Sequence, residues 1–471
     1  MKNQLLAIVV LCLLSGSVLA QTNQVKDGQV INTVTTAVPF LRINPDARAG
    51  GMGDVGVATP GDINSVFVNP AKMAFMEKDF GFAVSFTPWL KSLVNDIYMG
   101  SLAGYYKVKE KQTVQVSLKY FSLGNITFTD EQGQTLGDFK PNEFSFDAGY
   151  ARKLSDNFSL ALTLRIIYSN LSNVGVSGVA TKPGVAGAAD ISWMYQKQFG
   201  KGKLKHDLLA GMNISNLGSK ISYTGNAKNS DYIPTNLGIG LGYTLNVDPK
   251  NAIGVYLDVN RLLVPTPQPY QIQSLDPKDS GQLVVNPNYD KNTDGVADWK
   301  QKGFGGVFTS FGDAPGTMYI DENGEVKRKK GSRSKEELNE TSVGVGLEYM
   351  YNKQFGVRFG YFYEPRTKGN RQFLTAGLTV KYSIVGLNFS YLIPTSIQRN
   401  PLDNTLRFSL LFDFAKGGKK AGQNNSGVSL VDDTPKEKKA KKVKEDVAPS
   451  QKEGDSKDEK KGGGLKPIEP N

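Results

Sequence analysis

Thiol and imidazole chemistry are almost absent from this chain: its 471 residues hold one cysteine, Cys12, and one histidine, His206. Cys12 lies inside an N-terminal stretch, MKNQLLAIVVLCLLSGSVLA, that has the parts of an export signal. Lys2 is its charged start, Leu5 to Leu14 its apolar run and Ser17 to Ala20 its small-residue end, so cleavage is expected before Gln21. Residues 1–20 are therefore read as a signal peptide, and no lipobox-like small pair precedes Cys12. The exported chain then has no disulfide, no cysteine nucleophile and no zinc–thiolate site. A Ser–His–Asp arrangement or a histidine-based metal site would depend on His206 alone. It stands between Lys205 and Asp207 at the mouth of an expected strand, and a solvated turn residue is the plainer reading there than a catalytic base. Long apolar runs are missing too. The ten residues from Leu5 to Leu14 are too few to cross about 30 Å of hydrocarbon as a helix, and no later stretch approaches a spanning helix.

What the chain does have is alternation. Val114, Val116, Leu118 and Tyr120 point one way while Gln115, Ser117 and Lys119 point the other. The pattern returns in Leu160, Leu162, Leu164 and Ile166 against Ser159, Thr163 and Arg165, and in Leu237, Ile239, Leu241 and Tyr243 against Asn236 and three glycines. A strand repeats side-chain direction every two residues, so each segment has one oily face. About fourteen strands are expected, starting near Phe80, Tyr98, Thr113, Glu143, Phe158, Ala186 and His206, then Thr235, Ala252, Thr341, Phe355, Phe373, Val385 and Asn404. Their connections alternate short, as in Leu154 to Asn157, and long, as in Asn125 to Asn142, Gly218 to Pro234 and above all Arg261 to Glu340. A soluble sandwich could alternate in the same way. Repetition through fourteen segments behind an export signal favours an all-β transmembrane antiparallel barrel over residues 80–414, with its oily face toward lipid. Such barrels have short periplasmic turns and long outer loops, so both termini are expected in the periplasm and loop 261–340 outside the cell. The last strand, Leu406 to Phe414, ends on an aromatic, as closing strands do.

The flanks differ from the barrel. Residues 21–79 do not alternate; the run Gly50 to Asp54 lacks the strand, helix and acidic partner of a phosphate-binding loop, and reads as small residues entering a barrel lumen. Residues 415–471 are charged and nearly free of aromatics, which is the composition of a disordered, lysine-rich periplasmic tail. Much of the formal charge of +11 sits in that tail and in short turns, so it reads as solvated turns and membrane-surface contacts, not as a nucleic-acid site. Asp147 and Glu348 are expected to face the lumen beside Arg165 and Arg358 as salt-bridged lining. In the longest loop, Asp290, Asn292, Asp294, the Val296 carbonyl and Asp298 follow the oxygen order of a calcium loop, with Gly295 at the turn. Gln301 replaces the bidentate glutamate, so the motif reads either as a structural calcium clamp or as an Asx-rich turn. Aromatic and proline clusters at Thr87 to Leu90, Pro265 to Tyr270 and Phe304 to Phe311 suggest a docking surface, a gate, or packing on the rim.

Two groups of motifs point to a family. Asp62 to Ala71, with Asn69-Pro70-Ala71, resembles the N-terminal region of FadL-type transporters, fourteen-stranded barrels whose N-terminal segment plugs the lumen. Phe40 to Gly53, Phe311 to Gly316, and Arg399 to Leu402 leading into Leu406-Arg407-Phe408 resemble more closely the FadL-like PorV family of type IX secretion. The likeness runs from about Val34 to Phe414, and the tail departs from it. The resemblance implies a lumen plug at residues 21–79 and a shuttle in the outer membrane of a Gram-negative bacterium, with no enzymatic role and no required cofactor. Such a shuttle binds the C-terminal signal domain of cargo leaving the translocon and hands it to an attachment complex with a sortase-like peptidase. Cargo contacts are expected in the loops near Trp89, Asn125 to Asn142 and Arg261 to Glu340. Two alternatives stand beside it: uptake of hydrophobic molecules, and a barrel-borne esterase that would need His206.

Overall fold

The computed structural model describes residues 31–89, 96–129, 132–171, 181–224, 230–278, 281–395 and 405–415. The signal peptide, the tail beyond Ala415 and the Arg399 to Leu402 motif lie outside these residues. Fourteen strands close into one antiparallel barrel. They are β1 (Phe80–Pro88), β2 (Ile97–Lys109), β3 (Gln112–Leu123), β4 (Asn142–Lys153), β5 (Phe158–Asn170), β6 (Gly184–Phe199) and β7 (Lys205–Gly218). The other seven are β8 (Asn236–Asn246), β9 (Asn251–Leu262), β10 (Thr341–Tyr351), β11 (Phe355–Tyr363), β12 (Gln372–Tyr382), β13 (Val385–Pro394) and β14 (Leu406–Phe414). Every expected start lies within two residues of the observed one. Closure is made by β1 against β14, in register from Phe80 opposite Phe414 to Phe86 opposite Phe408.

Alternation sets the two faces. On β5, Leu160, Leu162, Leu164 and Ile166 are 41%, 50%, 61% and 59% exposed, while Ser159, Thr163 and Arg165 between them are buried. A sheet that turns leucines out and serine, threonine and arginine in suits lipid outside and a polar bore inside. Aromatics crowd the short-turn end: Phe80 stacks on Phe414 at 4.8 Å, and Tyr351, Phe355 and Tyr382 are exposed there. The tyrosines, with an apolar body and a polar tip, belong at a membrane–water boundary. Among the described residues no helix is long and apolar enough to cross a membrane, so the strands alone would do so.

The chain before β1 contributes short helical turns, Pro39–Arg42, Ala47–Gly50, Ile63–Phe67 and Pro70–Phe75. It meets inward-facing residues on opposite walls. Ala47 N donates to Ser409 Oγ of β14, Gly56 N to Asp258 of β9, and Ala71 N to Ser192 Oγ of β6. A side chain on Gly51 would press to 2.8 Å of the Gly377 backbone on β12, and one on Gly360 would collide with Met52 and Gly53. Small residues on both sides let backbone meet backbone.

The connection between β9 and β10 is longer than a plain loop and folds on its own account. Gln271–Ser274, Leu283–Val285, Met318–Ile320 and Val326–Arg328 form a small four-stranded sheet, followed by a helix at Ser332–Asn339. Arg261 ties it to the rim through Ser310 O, Glu337 O and Glu340. Lys368, in the β11–β12 connection, holds Glu336 at 2.8 Å and Glu340 at 3.0 Å. The β3–β4 connection carries a hairpin of Ile126–Thr129 with Thr135–Phe139.

Candidate functional site

Three polar arrangements inside the barrel bear on function, and the first comes from the alternation that turned charge inward. On one wall Arg165 of β5 bonds Asp147 of β4 at 2.7 Å and 3.0 Å and Asp190 of β6 at 3.1 Å and 3.2 Å. On the facing wall Glu348 of β10 accepts from Arg358 of β11 at 2.7 Å. Both pairs are those expected from the sequence. The structure adds Arg48 from the inner segment, which grips Glu348 through parallel bonds of 3.0 and 2.9 Å and reaches Asp62 and Pro60 O. A guanidinium matches a carboxylate's two oxygens, so this contact fixes orientation as well as distance.

Asn69, Pro70 and Ala71 form the second arrangement. Asn69 is fully buried at the start of the turn Pro70–Phe75. Its Oδ1 accepts from Ala71 N, and its Nδ2 donates to Val57 O at 2.8 Å and to Trp193 O of β6 at 3.1 Å. Asparagine caps a turn readily, and Pro70 supplies a fixed φ at its first position. Asp258 of β9 is a site residue that sequence reading missed; it accepts from both Gly56 N and Val57 N, at 2.7 and 2.8 Å.

The third arrangement lies at the long-loop end, where two cavities adjoin. One, of about 240 Å³, is walled by Phe40, Trp89 and Phe121 and by Arg42, Arg371 and Arg407. The other, of about 170 Å³, is lined by Asn213, Asn216, Asn236 and Asn260. Arg42, Asp54 and Arg371 belong to both walls. Arg371 grips Glu364 at 2.7 and 2.8 Å, and Arg407 is bonded to Asp54. Burial would raise the Glu364 carboxyl, but Arg371 and then Arg42 outweigh it and hold the carboxyl below its ordinary value. Glu340 goes the other way: burial prevails over Lys368 and Arg261 and raises it. At the opposite end a cavity of about 830 Å³ is bordered by Phe75, Met76, Lys197, Asp207, Lys381 and Asp413.

One expectation needs correction. His206 is the second residue of β7, not a solvated turn residue. It faces outward, stacks on Phe199 at 5.1 Å and shares a 2.5 Å hydrogen bond with Tyr243 Oη. Among the described residues, no serine or carboxylate is hydrogen-bonded to it. At Trp89 the packing alternative holds: the ring is 9% exposed and packs edge-on against Phe121 at 6.1 Å. The cluster around Phe304 keeps its exposure, with Phe308 74% open and Phe304 against it at 6.2 Å.

In the Asp290 to Asp298 loop the side-chain oxygens are taken by the backbone. Asp290 accepts from Gly295 N at 2.8 Å, Asn292 from Asp294 N, Asp294 from Val296 N and Asp298 from Lys291 N. The donor order follows that of a calcium loop; among the described residues no group of three or more His, Cys, Asp or Glu side chains is placed to hold a metal ion. An Asx turn accounts for the loop as folded.

A family model described as Type IX secretion system protein PorV matches residues 25–269, more than half of the chain. No curated protein matches significantly. Among solved structures, the Pseudomonas putida toluene transporter TodX is 11% identical at a TM-score of 0.42, over 78% of this chain and 98% of its own. The Ralstonia pickettii toluene transporter TbuX is 11% identical at 0.39, over 79% and 98%. A Pseudomonas aeruginosa FadL homologue is 9% identical at 0.36, over 82% and 100%.

Proposed function

Because the chain belongs to the PorV family of type IX secretion proteins, we propose that it is an outer-membrane cargo shuttle. It binds the C-terminal signal domain of proteins leaving the translocon and delivers them to the surface attachment complex with its sortase-like peptidase. In this reading residues 21–79 close the bore, the long connections face outward, and both termini, with the lysine-rich tail 415–471, are periplasmic. The observation that carries it is the contrast between the two parts of the barrel. The bore is crossed by an inner segment bonded to both walls, whereas the long-loop end carries a folded sheet, exposed phenylalanines and two cavities. Such a barrel works at its rim. No catalytic role is assigned, and no cofactor is required. Structural calcium at Asp290, Asn292, Asp294, Val296 and Asp298 needs those donors to converge; calorimetric titration at millimolar calcium with no heat returns the loop to an Asx turn.

Clean deletion in the source bacterium tests the shuttle. Secreted cargo should accumulate with its C-terminal signal uncleaved, and a plasmid copy should restore cleavage. Normal cargo maturation in the deletion strain rejects the proposal. One observation favours the alternative, uptake of hydrophobic molecules: the β6–β7 ladder breaks between Ala189 and Ile191, beside Asn216 at φ +56°. A sideways opening for an apolar molecule would sit there. Against it, Arg165, Asp190 and Asn216 fill the break with a bonded polar network. Unchanged growth of the deletion strain on hydrophobic carbon sources counts against uptake.

A further inference from the structure

We propose that the two adjoining cavities at the long-loop end form one recognition site for a carboxylate carried on an apolar group, best met by the free end of a polypeptide. The lining of the two cavities has a charge imbalance. Arg42, Lys119, Lys368, Arg371 and Arg407 stand against three carboxylates, Asp54, Glu340 and Glu364. Arg407 is bonded to Asp54 and Arg371 takes both oxygens of Glu364. Arg42 is left 3.6 Å from Glu364 Oε1, an oxygen that already accepts from Arg371 at 2.8 Å, and 30% of its side chain stays open. A guanidinium presents five donors in a planar fork, and a carboxylate is the partner that fills it. One incoming carboxylate halves the excess of positive charge and gives Arg42 a partner of its own.

The compartments on either side of Arg42 say what the carboxylate is attached to. Phe40, Trp89 and Phe121 wall about 240 Å³, room for one phenylalanine- or leucine-sized group, since a cavity of about 150 Å³ already holds benzene. The amide-lined compartment suits a peptide unit. Half-buried Asn236 and Asn260 line it; Asn236 Nδ2 donates to Asn260 Oδ1 at 3.1 Å, which leaves the Asn236 Oδ1 to accept a peptide N–H. An acyl or aromatic acid shares the carboxylate and apolar group but leaves these amides unused. A chain end uses all three features. The inference deepens the cargo reading, on which it rests only for where the chain end comes from.

The test uses the purified full-length protein in detergent micelles, with calorimetry and tryptophan fluorescence as readouts. Three probes are N-acetyl-phenylalanine, its C-terminal amide and 3-phenylpropionate. N-acetyl-phenylalanine should bind at least about tenfold more tightly than its amide, the range of a hydrogen bond to a charged group, and more tightly than 3-phenylpropionate. Arg42→Met should bring the acid down to the level of the amide while leaving amide binding unchanged. Equal binding of acid and amide by the unaltered protein overturns the site without any variant having to fold. Equal binding of 3-phenylpropionate and N-acetyl-phenylalanine overturns the chain-end assignment and gives the site to free acids. No probe involves cargo, so failure here leaves the shuttle to its own deletion test.

Discussion

Replacing Glu348 with glutamine should loosen the inner segment without opening the barrel. Arg48, Arg358, Glu348 and Asp62 form a group of two positive and two negative side chains, linked at 2.7 to 3.2 Å. Glu348→Gln leaves two guanidiniums facing one carboxylate, with Arg358 only 2% exposed. Breaking a buried pair by removing one partner costs about 3–5 kcal/mol, because the charge left behind has lost its compensation. At about 1.4 kcal/mol per decade, local opening becomes roughly a hundredfold to a few thousandfold more frequent. Hydrogen exchange reads this directly. The amides of Gly50 and Gly51 bond to Asp46 O and Ala47 O, so their exchange should accelerate by that factor while β5 and β12 amides stay protected. The double variant Glu348→Met, Arg358→Met restores balance by leaving Arg48 with Asp62, and it should exchange more slowly than Glu348→Gln. Unchanged exchange in the single variant, or a double variant no slower, refutes charge balance as the anchor.

Other outcomes follow from the same contacts. Gly360→Ala drives a methyl into Met52 and Gly53, so folded barrel, read as the heat-modifiable band on semi-native gels, should be largely lost. Asn69→Ala removes three hydrogen bonds at a fully buried position and should lower unfolding stability by about 2–3 kcal/mol in urea titrations, with a loss under about 0.5 kcal/mol refuting the role. Glu364 has a lowered carboxyl pKa, so its stabilisation is present above the ordinary glutamate range and is lost as pH falls through the lowered value. Acid unfolding curves of the parent protein and Glu364→Gln should therefore differ at neutral pH and converge in strong acid; a constant offset contradicts this.

The barrel was legible because its rule is local. Two-residue alternation needs no knowledge of what a strand pairs with, so strand starts could be read from single segments such as Leu160 to Ile166. Pairs on neighbouring strands were within reach for the same reason: Asp147 with Arg165, and Glu348 with Arg358, face one another across hairpins. The inner segment's partners were not. Arg48 and Glu348 are 300 positions apart, and Asp258 meets Gly56 across 202. Only closure of the barrel brings them together, and an aspartate facing the bore looks the same with or without a partner. The packing of Trp89 could not be singled out for a related reason, because the Phe40 that shares its cluster arrives from the inner segment, far upstream in sequence. The sheet within the long connection escaped because strands of three residues, such as Met318–Ile320, are too short to alternate.

The anchors also constrain how anything could cross. A molecule moving along the axis must displace a segment held by Arg48 on β10, Asp54 on β14 and the Gly56 and Val57 amides on β9. These contacts lie on different strands, so no single shift releases them together. Freeing even the Arg48–Glu348 anchor costs about 3–5 kcal/mol unless the charges find new partners, and an apolar passenger offers none. A ligand at the long-loop end meets a different situation: Arg42 already lacks a full partner, and an anion arriving there gains a contact without breaking one. Binding at the rim therefore runs with the electrostatics of this barrel, and passage through its axis runs against them.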